Sequence, residues 1–98
     1  MPQIVHTVLF DLDPEQTAAV TAAVEALRGL RSLPGVTSMS VGSNVSPERL
    51  AQGYTHALVA VFASATDRDH YLTAPEHLAA VDLLQPCMRR VAVVDIED

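Results

Sequence analysis

The 98-residue sequence contains no lysine, no tryptophan and a single cysteine. Its six arginines face 12 acidic residues, a formal net charge of −6 at pH 7. No basic cluster offers a footprint for a phosphate backbone, which argues against nucleic acid as a partner. The same deficit removes polybasic attraction to an anionic membrane surface. Cys87 has no second cysteine with which to close an internal disulfide, and it suits a reducing compartment. No stretch approaches the ~20 apolar residues of a membrane span. The amino terminus, MPQIVHTVLFDLDPEQ, lacks the basic and long apolar regions of a signal peptide. These absences lead to the expectation of a soluble, cytoplasmic protein.

Aromatic residues are also scarce, at 4%, although 49% of the chain is hydrophobic. Alanine and valine supply much of the difference. The length fits one domain over residues 1–98, with no repeat, linker or low-complexity segment. A chain this short buries only about 60–65% of its unfolded surface. So much apolar surface on so small a body favours pairing with a second copy.

Gln3 to Leu12 alternates apolar residues on both faces, which predicts a strand covered on both sides. Asp13 reads as an N-cap, with Pro14 at the first helical position and Gln16 completing a capping box. The helix predicted from there to about Leu33 carries Val20, Val24, Leu27 and Leu30 as an apolar stripe. Leu33-Pro34-Gly35 ends it. Val36 to Val45 reads as a second strand, with Gly42 marking a bulge or a close approach. Tyr54 to Ala63 is a third. Ser64 with Asp67 three residues on signals the cap of a helix through Leu72, and Ala74-Pro75 breaks and restarts it. Arg90 to Ile96 is the last strand. Strand, helix, strand, strand, helix, strand is the α+β, ferredoxin-like (split βαβ) plan: a four-stranded antiparallel sheet with the helices on one face.

Three of the four histidines and both tyrosines occur between Gly53 and His77; the remaining histidine is His6. A histidine's ordinary pKa of about 6.5 lets its neutral ring accept a proton near neutral pH. Tyr71, six residues before His77, would donate a hydrogen bond to a developing enolate or alkoxide. The bland alternative is that His77 only bridges the helix break. His6 shares a strand face with Val8 and Phe10, and His56 shares one with Leu58 and Phe62. Both need partners for their ring nitrogens, and a backbone carbonyl, Tyr71 or the other histidine would serve. His70, in a polar run, is expected to face solvent. No HxH, HExxH or Cys/His cluster has metal-ligand spacing, so no metal is expected. Cys87 reads as a core filler, and Asp95, Glu97 and Asp98 as a solvated strand end.

The order and spacing of these segments resemble the stress-responsive dimeric α/β-barrel (Dabb) family. The matching pieces are His6, Leu33-Pro34-Gly35-Val36, Gly42-Ser43-Asn44-Val45, Gly53-Tyr54-Thr55-His56, Phe62-Ala63-Ser64, Tyr71 through Pro75 to His77, and Val93-Val94-Asp95. Within the family the chain is similar to olivetolic acid cyclase-like proteins, which work without metal or organic cofactor. The resemblance implies a homodimer built through the open sheet face. It also implies a pocket between sheet and helices that takes a small carbonyl or polyketide-type substrate. His77 and Tyr71 match the catalytic pair, and His6 and His56 match two further pocket histidines. Val8, Thr37, Met39, Leu58 and Val93 are expected to complete the substrate-binding wall. The first helix departs from the cyclase, offering Ala22, Ala23 and Ala26 where aromatic side chains are expected, and Thr37 stands in place of a basic residue. A non-catalytic stress-responsive or ligand-binding barrel is the alternative reading.

Overall fold

The computed structural model describes residues 2–98. Strand β1 spans Ile4–Leu12, and helix α1 spans Thr17–Gly29, followed by a 3₁₀ turn at Leu30–Ser32. Strands β2 (Val36–Ser43) and β3 (His56–Phe62) come next, then helices α2 (Ala65–Thr73) and α3 (Pro75–Leu84), and strand β4 (Met88–Glu97) closes the chain. The sheet order is β2-β3-β1-β4, with every pairing antiparallel. This is the ferredoxin-like arrangement expected from the element order.

Alternation along β1 decides what the sheet presents to the helices. Ile4, His6, Val8 and Phe10 are buried, while Val5, Thr7 and Leu9 on the other face are only half-covered. Pairing brings Phe62, Ala60 and Leu58 of β3 beside Ile4, His6 and Val8. From above, α1 adds Ala23 and Leu27, the turn adds Leu30, α2 adds Tyr71, and α3 adds Ala80 and Leu84. One contiguous core therefore lies between sheet and helices.

Several boundaries differ from the sequence reading. Asp13 does not cap α1: its Oδ1 accepts the Glu15 N–H at 3.0 Å, closing a turn, and the helix starts three residues after Pro14 at Thr17. Gln16 at the N-cap makes no side-chain bond. The irregularity in β2 falls between Val36 and Ser38 rather than at Gly42, which pairs regularly with Ala57. Gly35 has φ +90°, and a Cβ there would sit 3.0 Å from Asp67 Cβ, so glycine is needed for both the turn and the close approach of α2.

The signals around Ser64 and Pro75 did mark real junctions. Ser64 is extended and its Oγ accepts the Asp67 N–H at 3.2 Å. Ala74, at ψ 139°, leaves the helical region, and Pro75 opens α3. The break puts Tyr71 and His77 on different helices.

The sheet face away from the helices stays open. It carries half-covered Val5, Leu9 and Val61, with Val59, Val94 and Ile96 more exposed, Val94 at 63% and Ile96 at 56%. Losing the α2 cap should be felt in stability: Ser64→Ala is expected to lower the unfolding free energy by about 1 kcal/mol. A denaturant titration checks this, and an unchanged midpoint would mean the cap is idle.

Candidate active site

Beneath the helices, a cavity of about 370 Å³ is walled by side chains from β1, β3, β4 and all three helices. Val8, Phe10, Leu27, Leu58, Val81, Leu84 and Val93 make most of it apolar. His6, Tyr71, His77 and Asp95 supply its polar groups.

Their geometry follows from the chain. Tyr71 is at the end of α2, 3% exposed, and His77 lies in the first turn of α3 beyond the proline break. Their ring centroids are 4.7 Å apart. Tyr71 also stands 6.0 Å from His6 and 5.0 Å from Phe62 between centroids, and His6 lies 6.2 Å from Phe62, so these three rings form a triangle that His77 joins through Tyr71. Burial pushes the Tyr71 hydroxyl up to about 12, which keeps it an O–H donor across the physiological range. Burial also lowers the pKa of His77, opposed by the Leu72 backbone and assisted by His6. Nδ1 of His77 is buried with no hydrogen bond of normal geometry to another described residue. His77 is therefore a neutral ring held at the wall of an apolar chamber.

His6 is held quite differently. Its Nδ1 is 2.6 Å from Oδ1 of Asp95, directly opposite it in the β1–β4 register. The other carboxylate oxygen of Asp95 accepts Nη1 of Arg68 at 3.0 Å. Asp95 is thus no solvated strand end, as its sequence context implied, but part of the cavity wall. Arg68 escaped the sequence reading altogether. Its signal was the three-residue spacing to Tyr71, which puts both on one face of α2.

Not every expected residue reaches the cavity. His56 shares the helix-facing parity of Leu58, but it stands four residues from Ala60, the partner of His6, which is about 13 Å along the strand. Its Nδ1 lies 2.8 Å from the Thr55 hydroxyl, and the ring borders a separate depression with Leu9, Asn44 and Tyr54. Thr37 is exposed at the β2 irregularity, where it has no partner in the β3 register. Met39 points to the helices but is taken up by core packing, outside the cavity wall. Among the described residues, no group of three His, Cys, Asp or Glu side chains is placed to hold a metal ion.

The family model for the stress responsive A/B barrel domain (Dabb) matches residues 4–98. The chain belongs to this family. No curated protein matches it. Among solved structures, it is similar to a dimeric ferredoxin-like protein of unknown function from Bacteroides fragilis. That match has 28% identity and a TM-score of 0.83, over 98% of this chain and 96% of that one. A dimeric ferredoxin-like protein of unknown function from Jannaschia sp. matches at 26% identity and TM-score 0.85, covering 98% and 99%. A hydroxynitrile lyase from Passiflora edulis shares the fold at 19% identity and TM-score 0.85, covering 98% and 93%. Dabb architecture is therefore combined here with a histidine–tyrosine pair at the cavity wall.

The depressed pKa values of His77 and His56, both due first to burial, have a consequence for stability. The unfolded chain, with histidine near 6.5, binds protons that the folded rings resist, so stability falls as pH drops below about 6.5. Melting temperature should be flat above about pH 7.5 and decline between about pH 7 and 5.5, a window above ordinary carboxylate titration. His77→Gln should make that slope shallower. An identical slope in the variant would show that His77 stays protonatable in the fold.

Proposed function

We propose that this cavity is the active site of a cofactor-independent cyclase or lyase acting on a small, uncharged substrate, either a polyketide-type carbonyl compound or a cyanohydrin that cleaves to one. The observation that carries the reading is the Tyr71–His77 pair, 4.7 Å between ring centroids, at the wall of an apolar cavity of about 370 Å³. Neutral His77 is ready to take a proton, and Tyr71 retains the hydrogen needed to steady an oxyanion. In a cyclisation, His77 removes a proton from the carbon beside a carbonyl while Tyr71 donates to the enolate oxygen. The enolate carbon then attacks a second carbonyl of the same molecule, and the proton returns to the new alkoxide. In a cyanohydrin cleavage, His77 takes the hydroxyl proton, the carbonyl re-forms as the C–CN bond breaks, and the proton leaves with cyanide. His6 positions the polar end of the substrate, and Val8, Leu58 and Val93 hold the apolar remainder. The Passiflora edulis hydroxynitrile lyase shows that this fold can house such a reaction.

His77→Ala is expected to lower turnover of mandelonitrile or a cyclisable polyketide by ~10²–10⁴-fold, with little change in melting temperature. Tyr71→Phe should reduce kcat with KM nearly constant, because the hydroxyl acts chiefly in the transition state. The reading falls to a non-catalytic barrel if both variants unfold and no carbonyl ligand raises the wild-type melting temperature.

The same proposal includes a homodimer through the open sheet face. Val59, Val94 and Ile96 form an exposed apolar surface there, and the similar Bacteroides fragilis and Jannaschia proteins are described as dimeric. Covering this face should bury more than ~1,200 Å² in total. Sedimentation is expected to give a dimer at micromolar concentration, and Val94→Asp to weaken it strongly. A stable wild-type monomer would refute the assembly.

A further inference from the structure

We infer that Asp95 and Arg68 are positioning residues that lock His6 in one tautomer, making its Nε2 a fixed hydrogen-bond acceptor for the cavity. The substrate class this selects, a carbonyl compound bearing a hydroxyl and no carboxylate, rests on the active-site reading above.

The tautomer follows from counting donors. Asp95 stands between two nitrogen groups, with His6 Nδ1 on Oδ1 at 2.6 Å and Arg68 Nη1 on Oδ2 at 3.0 Å. A carboxylate paired to a guanidinium only accepts, so the hydrogen on the His6–Asp95 bond belongs to Nδ1. With a single hydrogen on the ring, its lone pair is then on Nε2. The ring has little freedom to turn, being 4% exposed and packed edge-on against Phe62 and Tyr71, with centroids 6.2 and 6.0 Å away. Arg68 is itself steadied, its Nε donating to Asp69 Oδ1 at 3.1 Å. The chain Arg68–Asp95–His6 therefore runs from the partly exposed flank of α2, across β4, to a buried ring on β1.

This arrangement makes the polar groups of the cavity directional. Tyr71 offers a hydrogen, suited to a carbonyl oxygen, and His6 Nε2 requires one, suited to a hydroxyl. A β-hydroxy carbonyl or an enolised diketone satisfies both halves of this pattern. A cyanohydrin, which has no carbonyl, meets only the hydroxyl half, its oxygen accepting from Tyr71 and its hydrogen directed at His6 until His77 removes it. A carboxylate has no hydrogen for Nε2 and would approach the Asp95 charge, which disfavours it.

Nitrogen-15 NMR of histidine-labelled protein at about pH 8 tests the relay without any turnover. The wild type should show His6 protonated at Nδ1 and bare at Nε2. In Asp95→Asn, Arg68 should retain the amide oxygen, forcing the amide N–H toward Nδ1 and moving the ring hydrogen to Nε2. Adding Arg68→Leu frees the amide to turn over, and the original tautomer should return. Benzyl alcohol should shift the His6 Nε2 resonance, and benzoate should not. Mandelonitrile cleavage by Asp95→Asn should fall roughly 10²-fold through lost alignment, with partial recovery in the double variant. An Nε2-protonated wild type overturns the relay, as does a tautomer indifferent to Asp95→Asn. A benzoate shift as large as that of benzyl alcohol overturns the substrate class. If the tautomers behave as stated but the wild type cleaves no cyanohydrin and closes no polyketide, the relay stands and the enzymatic reading falls.

Discussion

The antiparallel register of β1 between β3 and β4 is the constraint on which the rest depends. It puts His6 opposite Ala60 on one side and Asp95 on the other. Ala60 is fully buried in the core, and the carboxylate provides a partner that a buried imidazole needs. A slip of one residue would turn His6, Val8 and Phe10 to the open face and bring Thr7 and Leu9 into the core. Burial of the apolar members of that face therefore fixes the polar member too. The placement of the cavity's polar groups depends on the same packing that drives folding.

Much of this was legible in the residues. Period-two alternation announced the strands, and Ser64 and Pro75 announced the junctions that set Tyr71 and His77 on consecutive helices. The spacing of that pair, together with the family resemblance that also pointed to the histidine in β1, led to three of the cavity's four polar groups. Hidden were the features that need pairing between distant segments. Asp95 read as a solvated terminus because Glu97 and Asp98 follow it, yet its neighbour in space is His6, 89 residues away. His56 carried the right parity, but parity says nothing about distance along the strand. Thr37 was misjudged because an irregularity in β2, invisible in its run of small residues, removes it from the pairing. Asp13 failed as a cap because its carboxylate had a closer backbone donor in Glu15.

The two cavity histidines illustrate how environment assigns roles to one residue type. His77 is set among apolar groups, and burial works against its charged form. His6 has a carboxylate on one nitrogen, so its orientation is specified by a bond and not by packing alone. A site that moves a proton needs both a group free to change state and a group that keeps still. Under the proposed function they belong to different halves of the fold, the mobile proton to the helical layer and the fixed acceptor to the sheet.

The position of Asp95 has a dynamic implication. β4 is an edge strand, bonded to the sheet only through β1, and its terminus is held by the reciprocal backbone bonds between Gln3 and Asp98 at 3.1 and 2.9 Å. Edges of sheets open locally at far lower cost than the whole domain unfolds. Fraying of the last few residues of β4 would carry Asp95 away and release His6 while the core under α1 stayed closed. Amide exchange at Val94 through Glu97 would then report how often the cavity loses its anchored ring, on a clock separate from global unfolding.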